Sequence, residues 1–325
     1  MRAVLCKAFG PPETLVVENA PDPSAGPGEV VLSVKAAGVN FPDVLMIENK
    51  YQVKPPLPFS PGGEASGVVS GVGAGVDGVN TGDRVMAITG HGAFAEKVVV
   101  SADRLVGIPA GMNDVTAGAF LFTYATSDHA VRDRGELKAG EMLLVLGAAG
   151  GVGLAAVEIG KAVGATVIAC ASSDDKLAVC VEHGADATIN YSTEELREGI
   201  KRITGDRGVD VVIDPVGGRF AEPAFRSVAW RGRFVVVGFA AGDIPRIPLN
   251  LALLKGSSIV GSSLGGWMRR EPERFTQSTR QLLRWHAEGR LKPRIDRTYP
   301  LERAGDAIAY MAGRHVKGKV VVTCE

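Results

Sequence analysis

The chain has 325 residues, 46% of them hydrophobic, and its 36 Lys plus Arg are matched by 36 Asp plus Glu. A length beyond ~250–300 residues outgrows a single core, so two domains are expected. Zero net charge leaves no broad basic field to draw nucleic acid or an anionic membrane surface, which favours a small-molecule partner.

Near the start, one short apolar run gives way to charges and prolines, unlike a secretory signal. No stretch approaches the ~20 apolar residues of a membrane helix, so a cytoplasmic protein is expected. Cys6, Cys170, Cys180 and Cys324 lie far apart with no C-x-x-C pair, which predicts buried thiols rather than disulfides or a structural zinc site. From residue 1 to about 121 the pattern is strand-like, at 3–6, 15–17, 30–39, 67–72, 84–88 and 94–100, with Gly/Pro clusters between the runs. This predicts a β-rich module. One helix interrupts it near Pro42 and Asp43, where a proline and a carboxylate suit a first turn.

Beyond Met112 the period changes. Asn113 or Asp114 caps a helix to Phe120, and a second helix is expected over 126–134. Strands at 142–146, 166–170, 187–189, 209–213 and 234–238 then alternate with helices at 151–163, 174–183, 194–203 and 218–229. Such alternation implies βαβ units, and a sixth strand near 258–260 completes a doubly wound parallel sheet of the α/β class. Helices at 271–287 and 301–312 precede a last apolar run, 319–322. That run has no parallel unit left to join, so it is assigned back to the first module, which makes the domain discontinuous. The expected division is 1–121 with 262–325, and 122–261 between.

The strongest local signal is the run from Leu143 to Leu154, a buried strand entering a glycine-rich turn and then a helix. Backbone N–H groups at such a helix start can hold a dinucleotide pyrophosphate. Of the G-x-G-x-x-G pattern, Gly150 and Gly153 are present and Ala148 takes the first position. After the next strand, where NAD enzymes usually carry an acid for the ribose, the chain reads Ala171-Ser172-Ser173-Asp174-Asp175-Lys176. Two hydroxyls and a cation suit a 2′-phosphate, so NADP(H) is favoured; alternatively Ser173 or Asp174 caps the helix, Lys176 is a solvated charge, and Asp174 reaches the ribose of NAD.

Several segments together resemble the medium-chain dehydrogenase/reductases, and in particular their zinc-free quinone oxidoreductases. They are Gly38 to Asp43, Tyr51 to Glu64, Gly82 to Val85, Gly147 to Gly153, Asp210 to Gly218, and Gly318 to Val321. The resemblance implies a GroES-like catalytic domain built from the N-terminal module and the C-terminal return, a Rossmann domain, and a cleft between them. Zinc-dependent members carry Cys and His ligands where this chain resembles them at Asn40 and Gly63, so zinc-free catalysis is implied. His91, His129, His183, His286 and His315 have no ligand spacing, and surface or capping roles are expected for each.

By the same resemblance Asn40, Tyr51 and Thr126 are the candidate catalytic residues, Asn40 on the nicotinamide side and Thr126 at the start of a domain-crossing helix. Gly147, Ala148, Ala149, Gly150, Gly151 and Val152 would hold the pyrophosphate. Ser172, Ser173, Lys176, Tyr191 and Arg314 would surround the 2′-phosphate end. Val216, Gly238, Phe239, Ala240, Leu264 and Gly265 would line the nicotinamide end from loops. The implied reaction passes hydride from NADPH to a quinone, which can draw its protons from solvent. A rival is enoyl thioester reduction with Tyr51 as proton donor, although Tyr51 could equally form only a cleft wall for flat quinone or enone acceptors. A dinucleotide-binding role without catalysis is a further alternative. A homodimer paired through the strand near 258–260 is implied as well.

Overall fold

A computed structural model describes residues 1–324. The described residues form two compact units, 1–122 with 293–324, and Thr123–Lys292.

The first unit opens with a hairpin of β1 (Arg2–Leu5) and β2 (Val16–Asn19). Next come β3 (Glu29–Val39), α1 (Phe41–Ile47), β4 (Glu64–Val72), β5 (Arg84–Ile88), β6 (Lys97–Ser101), β7 (Leu105–Gly107) and the short α2 (Asp114–Ala117). β3 is long enough to pair with both β4 and β6, and in β6 buried residues alternate with more exposed ones, as a sheet with one covered face requires, whereas β3 and β5 are buried over most of their length. Asn113 caps α2 by accepting the Thr116 N–H at 2.8 Å.

The second unit starts within α3 (Leu121–Asp128), which runs into a π-helical turn at His129–Arg134. Strands β8 (Met142–Leu146), β9 (Thr166–Ala171), β10 (Ala187–Asn190), β11 (Val209–Asp214), β12 (Val228–Val236) and β13 (Ser258–Gly261) alternate with α4 (Gly151–Val163), α5 (Asp174–Glu182), α6 (Leu196–Thr204), α7 (Ala221–Arg226) and α8 (Asn250–Lys255). All pair in parallel, in the order β10-β9-β8-β11-β12-β13. β8 and β9 are almost wholly buried, as strands covered by helices on both faces must be. α9 (Leu264–Arg270) and α10 (Pro272–Ala287) close the unit.

After α10 the chain returns to the first unit as β14 (Ile295–Pro300), α11 (Ala304–Ala312) and β15 (Lys319–Thr323). β15 pairs antiparallel with β3 and parallel with β14, so the last apolar run does rejoin the first sheet.

Residues 262–292 differ from the expected division, because they pack with the second unit. His129 stacks on Trp267 with ring centroids 4.4 Å apart, Ser278 donates to the Asp128 carboxylate, and Arg132 lies over the Trp285 ring at 4.9 Å. α9 and α10 thus cover the π turn. The helix expected from Thr126 begins instead at Leu121, and the segment read as helix over 218–229 is a 3-10 turn and α7, giving way to β12 at Val228. β7, β14, α8 and α9 were not anticipated. β14 carries Asp296, Arg297 and Pro300, the charged and proline-bearing composition of an edge strand, and this hid its pattern.

Candidate functional site

In the second unit β9 lies on one side of β8 and β11 on the other, so the strand order reverses at β8. Ligands of doubly wound sheets sit outside the carboxyl ends of the strands at such a switch point. There β8 ends at Leu146 and the turn Gly147–Gly150 enters α4. Three glycines of the turn and the start of α4 have separate physical reasons. Gly147 has φ +59°, a left-handed conformation. A Cβ on Gly153 would stand 2.3 Å from the Gly147 carbonyl oxygen, so α4 can approach the turn only without a side chain there. A Cβ on Gly150 would meet nothing closer than 3.5 Å. The protein's own packing therefore does not require glycine at Gly150. The first bond of α4 runs from the Leu154 N–H to the Gly150 carbonyl, so the N–H groups of Gly151, Val152 and Gly153 precede the helical ladder. This is an anion-binding geometry.

At the end of β9, Lys176 donates to the Ser172 hydroxyl at 3.1 Å, bringing a cation and a hydroxyl together. Ser173 is the N-cap of α5 by backbone, but its hydroxyl bonds to Asp175 rather than to the helix, and Asp174 accepts from Asn190 at 2.8 Å. Tyr191, just past β10, lies against Phe220 with centroids 4.3 Å apart. Beyond β11, the buried Asp214 accepts the N–H groups of Val216 at 2.8 Å and Gly217 at 2.7 Å. The Ala240 and Ala241 N–H groups donate to Pro215 and Val216. These bonds fix the loop of Gly238, Phe239 and Ala240 against the turn that carries Val216. Burial pushes the Asp214 carboxyl up, and the two N–H bonds oppose that. Leu264 and Gly265, expected in a loop, form the first turn of α9, capped by Ser263.

The unit thus gathers the candidates from Gly147 to Gly265 at the carboxyl ends of its strands. Asn40, Tyr51 and Arg314 belong to the first unit, Arg314 at φ +58° in the turn after α11. Thr126 is buried well inside α3 rather than at its start.

In the first unit Asn40 caps α1, and its amide is held by side chains from distant strands. The amide Nδ2 donates to Glu64 Oε1 at 3.0 Å and the Gly38 carbonyl at 3.2 Å, and its Oδ1 accepts from Lys319 Nζ at 2.6 Å. Lys319 also donates to Glu64 Oε1 at 2.8 Å and the Val39 carbonyl at 3.0 Å. Asn40, Glu64 and Lys319 are all buried, at 5%, 1% and 4% exposure. A Cβ on Gly38 would fall 2.3 Å from Glu64 Oε1, so the glycine before Asn40 makes space for the carboxylate. Lys319 and Glu64 were not singled out from the sequence. Both lie in segments that carry the family resemblance, Tyr51 to Glu64 and Gly318 to Val321.

Beside this cluster the buried Asp43 accepts the Asn40 N–H at 2.8 Å and the Gly62 N–H at 3.0 Å. Burial pushes its carboxyl up to about 6, opposed by those two N–H groups. The half-buried Tyr51 phenol is raised above its ordinary value by burial and then by the charge of Asp43, so it stays protonated at neutral pH. Tyr51 packs on the first unit's core.

Two further polar centres lie within the second unit. Glu158, buried on α4, accepts from Tyr124 at 2.6 Å and from the Lys292 N–H, and it sits 2.6 Å from His183 Nδ1. His129 is not a surface residue, as expected from its isolation in sequence, but a buried ring on Trp267 with Asp133 at 2.8 Å. The four cysteines are all buried, and burial pushes the Cys180 and Cys324 thiols up to about 12. Among the described residues no group of three or more His, Cys, Asp or Glu could hold a metal ion, and no helix is long and apolar enough to cross a membrane.

Residues 26–110 match the family model of the alcohol dehydrogenase GroES-like domain, and residues 151–285 match that of the zinc-binding dehydrogenases. The chain is 38% identical to the mouse quinone oxidoreductase-like protein 2, over 99% of its own length and 92% of the relative. Its fold matches the Escherichia coli quinone oxidoreductase complexed with NADPH at a TM-score of 0.94 and 30% identity, covering 99% and 100% of the two chains. A probable oxidoreductase from Mycobacterium abscessus matches at 0.89 and 36% identity, covering 99% and 98%.

Proposed function

Because the chain belongs to the quinone oxidoreductase-like branch of the medium-chain dehydrogenase/reductase superfamily, we propose that it passes hydride from NADPH to a quinone or similar conjugated carbonyl, without zinc. The observation that carries this reading is the open amide turn at the strand-order switch, with Ser172 and Lys176 paired at the end of the next strand. When bound, the dihydronicotinamide supplies the hydride. The chain's own work is to hold it. The N–H groups of Gly151 and Val152 take the pyrophosphate, and Ser172 and Lys176, joined by Tyr191, take the 2′-phosphate. Ser173 turns its hydroxyl to Asp175 and borders that site. Val216, Gly238, Phe239, Ala240, Leu264 and Gly265 flank the nicotinamide, and Thr126 supports that end from within α3.

The donor set does not suit zinc. Asn40 and Gly63 offer neither thiolate nor imidazole, and the oxygens of Asn40 and Glu64 already accept from the buried Lys319 ammonium. A metal ion among them would meet an existing cation.

A second reading, enoyl thioester reduction, is favoured by one observation, the phenol of Tyr51 kept protonated beside Asp43. Such a reduction needs a proton on the α-carbon after hydride addition, which a half-buried phenol can give. The test is cofactor oxidation with quinones and with enoyl thioesters, for the wild type and Tyr51→Phe. Quinone turnover that survives the substitution supports the first reading. Thioester turnover that collapses with it supports the second. Cofactor bound but no turnover with either class would leave a binding role.

The proposed homodimer is supported by β13 at the sheet edge and by the exposed Trp230, Leu249, Leu253 and Leu254 of the same unit. Sedimentation velocity of the wild type tests it, and a monomer at micromolar concentration would refute it.

A further inference from the structure

A primary amide can present either end to a neighbour, since its oxygen and nitrogen are nearly the same size. In Asn40 that choice is removed from outside. Lys319 carries only donors and faces Oδ1 at 2.6 Å, and Glu64 when ionised carries only acceptors and faces Nδ2 at 3.0 Å. The N–H groups of Lys319 are matched by the Val39 carbonyl, Asn40 Oδ1 and Glu64 Oε1. The second oxygen, Glu64 Oε2, accepts the Phe122 N–H at 3.0 Å, so the carboxylate also ties down the start of α3. Turning the amide over would set Nδ2 against the ammonium and Oδ1 against the carboxylate, two like-signed contacts in a dry interior. Lys319 reaches this point from the last strand, 279 positions along the chain from Asn40.

A buried ion pair is a poor way to gain stability, because apolar residues of similar volume generally do as well or better. What such a pair supplies is direction.

We infer that Lys319 and Glu64 are positioning residues that lock the Asn40 amide in one orientation at the head of α1, and that turnover depends on that orientation. The inference rests on the hydride-transfer reading. It adds residues that touch neither cofactor nor acceptor and act through Asn40.

The test pairs Lys319→Met with Glu64→Gln. Either change alone leaves a partner buried without its counter-charge and lowers the melting temperature. In the double variant both charges are gone, and the melting temperature should recover most of the loss. Only the Gly38 carbonyl, 3.2 Å from Nδ2, then still favours one end of the amide. At a temperature where both proteins are folded, kcat of the double variant should fall by about 10–100-fold, as misplacement of a reacting-site group does, with KM for NADPH unchanged within about twofold. A double variant as stable as the wild type and with its kcat would show the pair to be purely structural. Neutron diffraction of the wild-type protein gives an independent reading, because it places the amide hydrogens. Deuterium density on the Asn40 atom facing Glu64 is expected, and on the atom facing Lys319 would overturn the lock. If the wild type reduces neither quinones nor enoyl thioesters, the hydride-transfer reading fails, and the neutron result still decides the lock.

Discussion

In the first unit the polar atoms of Asn40, Glu64 and Lys319 use one another up in a buried cluster, whereas at the switch point of the second unit the amides of Gly151 and Val152 are left outside the helical ladder. The first arrangement is closed, with every charge answered by protein. The second is open, its N–H groups lying at a helix start, a geometry that suits an anion. The contrast teaches where each unit spends its glycines. Gly38 makes way for a side chain of the protein itself, while Gly150 makes way for nothing the protein supplies.

The largest effect should come from breaking the closed cluster. Lys319→Met leaves the Glu64 carboxylate buried without a partner and should cost about 3–5 kcal/mol in chemical denaturation. Most of that returns when Glu64→Gln is added.

The open turn can be broken in two distinguishable ways. Gly153→Ala drives a Cβ to 2.3 Å from a backbone oxygen, and overpacking of that kind costs about 1–3 kcal/mol of stability. Gly150→Ala meets only an ordinary contact at 3.5 Å, so the urea midpoint should hold while NADPH affinity drops by about tenfold, or ~1.4 kcal/mol. Equal loss of stability in both variants would mean that Gly150 serves packing too.

Asp43 adds a pH signature to the closed side. Its carboxyl sits at about 6 in the folded protein against 3.8 ordinarily, so between those values the folded state holds a proton that the unfolded state has released. Stability from this group therefore rises as pH falls from about 6 toward 4, by up to about 2–3 kcal/mol, and is flat outside that window. Denaturation midpoints of wild type and Asp43→Asn across pH 4 to pH 7, on the order of the span the linkage relation requires, should converge at the alkaline end or differ by a constant there, and diverge toward acid. Parallel curves throughout would contradict the assignment.

The smallest change is expected at the edge of the open site. Lys176→Ala removes the cation beside Ser172 and should weaken NADPH by about 1 kcal/mol while leaving NADH nearly untouched, read by fluorescence titration.

Much of this was legible in the chain itself. The run 142–163 has an unbroken apolar strand, glycines at a tight turn and a helix after it, and the structure sets β8 and α4 over the same residues. The return of 319–322 to the first sheet followed from there being no parallel unit left to receive it, and β15 pairs with β3. The contact between Lys319 and Glu64 was hidden because it joins residues 255 positions apart, and no local period marks a buried charge. His129 read as isolated because its partner ring, Trp267, comes from α9, a short helix with glycines at Gly265 and Gly266 that blur its pattern. The sequence hides the start of α3, because Leu121 and Phe122 continue an apolar run with no capping residue before them.

The most direct test of the account is calorimetric titration of the purified protein with NADPH and with NADH. One site per chain, with NADPH bound more tightly, is the expected result. Heat of association with neither dinucleotide would contradict the claim that the Gly147–Gly153 turn is built to hold a pyrophosphate.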